Sequence, residues 1–456
     1  MPEKPRNALV WALLLLVPAL WIGLESWQAE APSEGPPQGP PELATMTEVQ
    51  GRIAALLGGQ ALQAKDPLGT RPMARLAAAM LLARDGQRDW AEVQIDEAAA
   101  AADGAPEPEL VSTVRTLVTA WPPRVGRDQP SLPPDTLTEA QWQLLDERMG
   151  WFAEMARGEL TADPVAQKRF HEGQGWLLIG AFVAGAWFLL AGLTGLVVLV
   201  VLACLAAIGR IRSGLEPMPP MHTLLGETFV AWMLGFFGIR WVAGSVLAGD
   251  PSEGKLWFAL AINFATLAAL AWAVWRGASW KSLCFAAGLR MPGSAWRLAW
   301  LSACSYACAL PCMGVGVLLG LALSQALGGR NFQDVSHPVQ EMLPHAAPGV
   351  KLALFAFAMV AAPIVEEIAF RGLLYGHVRQ VTPRWPRWLS IAAAMLVSAT
   401  IFAAIHPQGV LAIPALAGIS IGFCITREWS GSVVPGMVAH GFHNGVLLAL
   451  NLMLQA

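Results

Sequence analysis

Charged side chains are scarce in this chain: they make up 14% of it, whereas ordinary soluble domains carry roughly 25%. Hydrophobic residues make up 55%, and apolar runs long enough to cross a bilayer recur from Trp176 to the C-terminus. The formal net charge of −3 is too small to indicate nucleic acid or another strongly charged partner. These absences exclude a single soluble domain and predict a protein whose main partner is the lipid bilayer.

Cysteines are few and poorly placed for a disulfide framework. None of the six lies between Glu25 and Gly175, and all lie in or beside apolar segments. Cys304, Cys308 and Cys312 are four residues apart, which places them on one face of a predicted helix. We interpret this stripe as small packing residues, with a thiol or metal role as the alternative.

The N-terminal third divides into three parts. A basic start followed by an apolar run predicts an uncleaved membrane anchor at residues 1–28, with a cleaved signal peptide as the alternative. Residues 29–44 form a Pro-rich linker. Residues 45–175 predict a soluble helical domain, with two Ala-rich amphipathic helices broken at Asp85-Gly86. This domain lacks a cluster of His, Cys and carboxylates, so we expect it to be a spacer or to dock a protein partner.

The remainder, residues 176–456, predicts a multi-pass transmembrane domain. With the anchor, the apolar segments give about nine transmembrane helices, about eight of them in the core. The fold class is therefore all-α: a polytopic membrane helical bundle with an extra-membrane N-terminal helical domain. The segments are about Trp176–Ile208, Leu224–Ala248, Leu256–Trp275, Trp296–Leu327, Val350–Tyr375, Leu389–His406, Val410–Thr426 and Ser432–Met453.

The loops between these segments alternate in charge. Arg and Lys concentrate in every second loop, as the positive-inside rule requires for a consistent topology. The alternation predicts a cytoplasmic N-terminus and places residues 29–175 on the exterior.

Ionisable side chains within a span are costly and usually functional, and one span carries three of them. Glu367 and Arg371 are i, i+4 partners on a helix, so the guanidinium can hold that carboxylate ionised. Glu366 points about 100° away from its neighbour and is free to face a cavity. It is a candidate general base, while an ion network that only fixes helix packing is the alternative.

Two later spans carry further polar groups. His406 ends its span just before Pro407, where a helix does not readily continue. His440 and Asn444 are i, i+4, so both can present donors to one point, as a developing oxyanion needs; polar contacts between helices are the alternative. His443 is rotated by about 60° from the line of His440, which favours a place outside a shared cavity.

In this order, the residues resemble the three motifs of a known family. Glu366-Glu367-x-x-x-Arg371, Phe402-x-x-x-His406 and His440-x-x-x-Asn444 are similar to those of the CAAX proteases and bacteriocin-processing enzymes, the CPBP or Abi family. The resemblance covers about Val350 to Leu452 and, with less support, the segment back to Leu224. It implies an intramembrane endopeptidase core at about 224–456, acting on membrane-associated protein or peptide substrates. With an Arg-rich, Lys-poor composition, it also favours the plasma membrane of a prokaryote.

The resemblance also implies a role for each motif residue. Glu366 would activate a water molecule and His406 would orient it or carry its proton. His440 and Asn444 would stabilise the oxyanion, with Glu367 and Arg371 as structural support. A metal-free reaction is preferred, because the H-E-x-x-H pair of many zinc peptidases is absent. If a zinc ion takes part, Glu366, His406 and His440 would be its ligands.

Two other functions compete with the peptidase. A non-catalytic scaffold or immunity protein of the same fold would use the polar cluster only to hold helices together. A transporter could use an intramembrane carboxylate as a proton relay, although the inverted repeats typical of transporters are not evident.

Overall fold

The structure is a computed structural model that describes residues 10–14, 16, 51–52, 54–55, 68, 71–102, 104–122, 132–133, 136–161, 163–211, 213–215, 221–246, 253–326, 343 and 346–455. Regular structure in these residues is helical throughout, which confirms the all-α class. The helices are α1 (Pro72–Arg84), α2 (Arg88–Ala99), α3 (Pro108–Ala120), α4 (Glu139–Met149), α5 (Trp151–Leu160), α6 (Pro164–Ala207), α7 (His222–Val246), α8 (Glu253–Trp275), α9 (Trp280–Ala287), α10 (Ala295–Ala326), α11 (Pro348–Val381), α12 (Arg387–Ala404), α13 (Ile413–Ser430) and α14 (Val434–Gln455).

The chain divides into two compact units. One comprises Met1–Ala31 with Gly185–Ala449, and the other comprises Pro32–Ala184 with Leu450–Ala456. Each has its own hydrophobic core.

The second unit contains helices α1 to α5. The predicted break at Asp85-Gly86 is confirmed, since α1 ends at Arg84 and Gly86 has a φ of 78°, a conformation that glycine readily adopts. The prediction that both helices are amphipathic is wrong for α1, which is buried on nearly every side at the centre of this core. Alanine explains the difference, because a small side chain lets neighbouring helices pack around α1 completely.

The first unit has the properties of a membrane protein. Within the described residues, five helices are long and apolar enough to cross a bilayer: Ile179–Ala207, Glu253–Trp275, Ala295–Ala326, Pro348–Val381 and Arg387–Ala404. Large apolar side chains such as Leu190 and Leu318 are more than half exposed, as lipid-facing residues should be. The predicted number of about nine transmembrane helices stays a prediction, and most of the predicted anchor at 1–28 lies outside the described residues.

Glycine permits a close helix contact in this unit, between α10 and α13. A Cβ on Gly316 would clash with the backbone carbonyl of Pro414, and one on Gly418 would clash with that of Cys312. Apolar solvent offers no hydrophobic drive for helices to associate, so close backbone approach through small residues is a main source of stability here. Cys304 and Cys308 are buried on α10, as expected for packing residues.

The contact between α10 and α13 can be tested by substituting Gly316, with Gly314 as the control. Gly316→Ala should lower the melting temperature in detergent, because overpacking typically costs about 1–3 kcal/mol. Gly314→Ala should leave it unchanged or raise it, since a Cβ there would meet open space and alanine favours the helix. The melting temperatures of the two variants can be compared by thermal unfolding, monitored by tryptophan fluorescence. Equal melting temperatures would contradict the packing described here.

Candidate active site

Helix α11 carries the two glutamates on an irregular backbone. Two π-helical segments, Phe357–Ala361 and Glu367–Leu374, lie on either side of Glu366. Such segments often occur at functional sites because they turn side chains away from the regular helical positions. In the π register the C=O of Ala358 would accept from residue 363, but Pro363 has no N–H. This carbonyl therefore needs a partner from another helix.

Glu366 lies between two histidines from different helices. Its Oε2 is 3.9 Å from Nε2 of His406 at the end of α12 and 3.8 Å from Nε2 of His440 on α14. The Oε2 atom is buried and has no hydrogen-bond partner among the described residues. The structure thus brings together three side chains that the sequence placed in three separate motifs.

The other ring nitrogen of each histidine, Nδ1, forms a hydrogen bond within the protein. Nδ1 of His406 lies 2.6 Å from the backbone O of Phe402, and Nδ1 of His440 lies 3.2 Å from Oε1 of Glu367. A carbonyl and a carboxylate only accept, so each Nδ1 carries the hydrogen. In the neutral form of either ring, Nε2 is then an acceptor that faces Glu366.

Glu367 and Arg371 form the ion pair that their spacing predicted. Arg371 Nη1 lies 2.8 Å from Oε1 of Glu367, and the two side chains are 0% and 1% exposed. The Arg371 guanidinium lies 4.5 Å from the ring centre of Phe402 and 5.3 Å from that of Phe423. Cation–π contact with two rings stabilises a buried charge that has few polar neighbours. Glu367 is thus paired with Arg371, whereas Glu366 lies outside this pair and faces the two histidines.

Asn444 lies one helical turn after His440 on α14, and one of its two amide hydrogens is already used in a hydrogen bond. Its Nδ2 donates to the carbonyl of Ala358 at 2.8 Å, which supplies the partner that Pro363 cannot. An amide NH2 has two hydrogens, so one donor remains available.

These residues line one end of a cavity of about 450 Å³ in the first unit. The rest of its wall is largely apolar and includes residues of α7 and α8, with Trp232, Phe236 and Ile262 among them. A mostly apolar cavity with a few convergent polar groups is typical of a binding site.

Three further residues of this cavity have a buried polar side-chain atom without a hydrogen-bond partner among the described residues. His443 is 6% exposed and its Nδ1 has no partner among the described residues, so the prediction that it lies outside the cavity is wrong. The wide cavity spans more than one face of α14, which the rotation argument did not allow for. The others are Asn263 and Gln408, which sequence reasoning missed. Applying the rule for ionisable groups in spans to amides as well would have found Asn263.

The histidines and Glu366 are spaced more widely than the ligands of a tetrahedral zinc ion. Ligands of a tetrahedral zinc ion, each about 2.0–2.1 Å from the metal, lie about 3.3–3.4 Å from one another. The O–N separations here are 3.8 and 3.9 Å. No group of three or more His, Cys, Asp or Glu in the described part of the chain is arranged to hold a metal ion. The residues as placed fit a water molecule better than zinc.

The polar cluster, set in a bundle of apolar helices, defines the general class: a membrane protein with an internal hydrophilic site. Residues 348–446 match the family model described as type II CAAX prenyl endopeptidase Rce1-like. This segment therefore carries a domain of the CAAX-protease family, as the three motifs predicted. No curated protein matches the chain. No solved structure matches it either.

Removing one member of the buried ion pair should destabilise the protein. Arg371→Met leaves Glu367 buried without its cation, a change that typically costs about 3–5 kcal/mol. We expect a large loss of folded protein, measured as monodisperse yield after size-exclusion chromatography.

The double variant Glu367→Gln/Arg371→Met is the matched control. It removes both charges and keeps a side-chain acceptor for His440, so it should recover folded yield. A double variant as poorly folded as Arg371→Met would show that the pair is not the cause of the loss.

Proposed function

We propose that this chain is an intramembrane endopeptidase of the CAAX-protease type, which hydrolyses peptide bonds of membrane-associated or lipid-modified substrates. The observation that carries the proposal is the position of Glu366 Oε2, 3.9 Å from His406 Nε2 and 3.8 Å from His440 Nε2, at one end of an apolar cavity. A cavity with apolar walls suits a lipid-soluble or apolar peptide. Its polar end supplies groups for hydrolysis.

The separations around Glu366 suit a bridging water molecule. They are too long for direct hydrogen bonds, yet one water can lie about 2.7–3.0 Å from both atoms of either pair. The water would then donate one hydrogen to Glu366 Oε2 and the other to Nε2 of His406, which leaves a lone pair of its oxygen directed at a substrate carbonyl.

In the proposed reaction, Glu366 takes one proton from this water as its oxygen attacks the carbonyl carbon. A tetrahedral intermediate forms, and its charge develops on the former carbonyl oxygen. The C–N bond then breaks, and the proton held by Glu366 passes to the leaving amine. His406, fixed by the Phe402 carbonyl, orients the water.

The oxyanion requires hydrogen-bond donors. The second amide hydrogen of Asn444 is one, since only the first is used by Ala358. His440 can donate from Nε2 only when both ring nitrogens carry hydrogen. The Glu367 carboxylate beside its Nδ1 would support that doubly protonated ring, and Arg371 holds Glu367 in place.

The cellular setting extends the proposal. We place the protein in the plasma membrane of a prokaryote. The charge pattern of its loops indicates a cytoplasmic N-terminus and places residues 29–175 outside. Residues 45–175 would either dock a protein partner or act as a spacer. The substrate would be a membrane-anchored peptide.

Glu366→Gln should abolish cleavage while leaving folded yield unchanged. Loss of a general base typically lowers the rate about 10²–10⁴-fold. We would test purified wild type and variant in proteoliposomes with a fluorogenic CAAX-type peptide, S-farnesylated or unmodified, and with a proteomic screen for new C-termini in membranes. Glu227→Gln is the control, because Glu227 is a carboxylate of α7 bonded to Trp272 outside the cavity.

Products that appear with wild type and Glu227→Gln but not with Glu366→Gln would establish proteolysis. Equal product profiles for Glu366→Gln and wild type, in a screen that detects a known protease, would favour the non-catalytic scaffold instead.

A second measurement addresses the metal. The wide spacing of the Glu366 site predicts that 1,10-phenanthroline or EDTA leaves cleavage by the purified protein unchanged. Inhibition that is reversed by added zinc would overturn the water-only mechanism and make Glu366, His406 and His440 the ligands.

A further inference from the structure

The part of the cavity wall that α7 and α8 form contains a polar side chain, Asn263, whose role the motifs do not explain. Asn263 lies on α8, outside the segment that matches the protease family, and it lines the same cavity as Glu366. Helix α8 packs against the first half of α11, which carries Ala358 and Glu366. Asn263 is therefore part of the reaction cavity although its helix carries no catalytic motif.

The Oδ1 atom of Asn263 is buried and has no hydrogen-bond partner among the described residues. Burying an unpaired acceptor is destabilising, so such an atom needs an explanation. Its immediate surroundings offer none: Ile262, Phe236 and Trp232 supply the neighbouring apolar lining.

The other polar groups nearby bond to one another instead. Nε1 of Trp232 donates to the hydroxyl of Thr266 at 3.2 Å, and that hydroxyl donates to the backbone carbonyl of Asn263 at 2.6 Å. These bonds fix the backbone at the point where α8 changes from α- to 3-10-helical geometry. They hold Asn263 in position while leaving its side-chain oxygen free to accept.

We propose that Asn263 is a substrate-positioning residue, whose Oδ1 accepts a hydrogen bond from a backbone N–H of the bound peptide. This inference rests on the proposed peptidase function and adds the group that aligns the chain across the cavity. An extended peptide in an apolar cavity has unpaired N–H groups, and a fixed amide oxygen satisfies one of them. Asn263 acts on the substrate main chain and not on the scissile carbonyl.

Asn263→Leu is the principal variant. It should keep or raise the melting temperature, because an apolar side chain of similar size replaces an unpaired buried acceptor. It should also lower kcat/KM for the fluorogenic CAAX-type peptide by about tenfold or more. A melting temperature clearly below wild type would overturn the inference, since it would mean that the amide is bonded within the protein and supports the fold.

The hydrogen bond itself can be located with ester-substituted peptides. An ester oxygen replaces one backbone N–H at a time, at every position except the scissile bond. For wild type, the ester at one position should lower kcat/KM about tenfold relative to the amide peptide. For Asn263→Leu, the ester and amide peptides should be cleaved equally well at that position. Asn263→Asp, which keeps the acceptor, should discriminate as wild type does.

Ile262→Val controls for disturbance of this wall. It trims an apolar side chain of the same cavity and leaves the bonds of Thr266 and Asn263 intact, so the variant should keep the ester discrimination whatever its overall rate. Retained discrimination in Asn263→Leu would overturn the inference while leaving the peptidase intact. Absence of any Glu366-dependent cleavage by wild type would instead refute the proposed function, so the two failures are distinguishable.

Discussion

The buried pair of Glu367 and Arg371 is the interaction on which the site depends. The carboxylate forms an ion pair with the guanidinium and accepts a hydrogen bond from Nδ1 of His440, so one residue of α11 orients a histidine of α14. The guanidinium in turn packs on Phe402, which precedes His406 by one helical turn, and on Phe423 of α13. A charge pair without solvent contact stabilises only if its geometry is kept, and keeping it fixes the four helices that bear the site.

The irregular backbone of α11 imposes a second requirement. Backbone groups in an apolar environment must be bonded internally, yet π-helical turns and Pro363 leave carbonyls without their usual partners. Side chains of other helices supply them: Asn444 bonds Ala358 O, Ser398 bonds Phe370 O, and Arg427 bonds Arg371 O. These contacts tie α12, α13 and α14 to α11. The turn that presents Glu366 is thus stabilised by the same helices that carry its partners.

The sequence predicted the elements of this site better than its details. Glu367 and Arg371 are only four residues apart, so they come together on a helix whether its backbone is regular or irregular. The meeting of Glu366, His406 and His440 depends on tertiary packing, which the spacing of residues within each motif does not determine. The prediction for His443 failed because rotation on one helix does not give the width of a cavity. Asn263 was missed because the search for polar groups within spans covered ionisable side chains and left out amides.

The size of the cavity constrains how a substrate can reach Glu366. A helix with its side chains is about 10–12 Å across, whereas a space of about 450 Å³ is of the size that holds small ligands. Under the proposed function, a helical substrate segment would therefore have to unwind locally before its peptide bond could enter. Residues that form helices poorly, such as glycine and proline, reduce the cost of that unwinding. Selection among substrates would then depend on how easily a segment opens as well as on which side chains it carries.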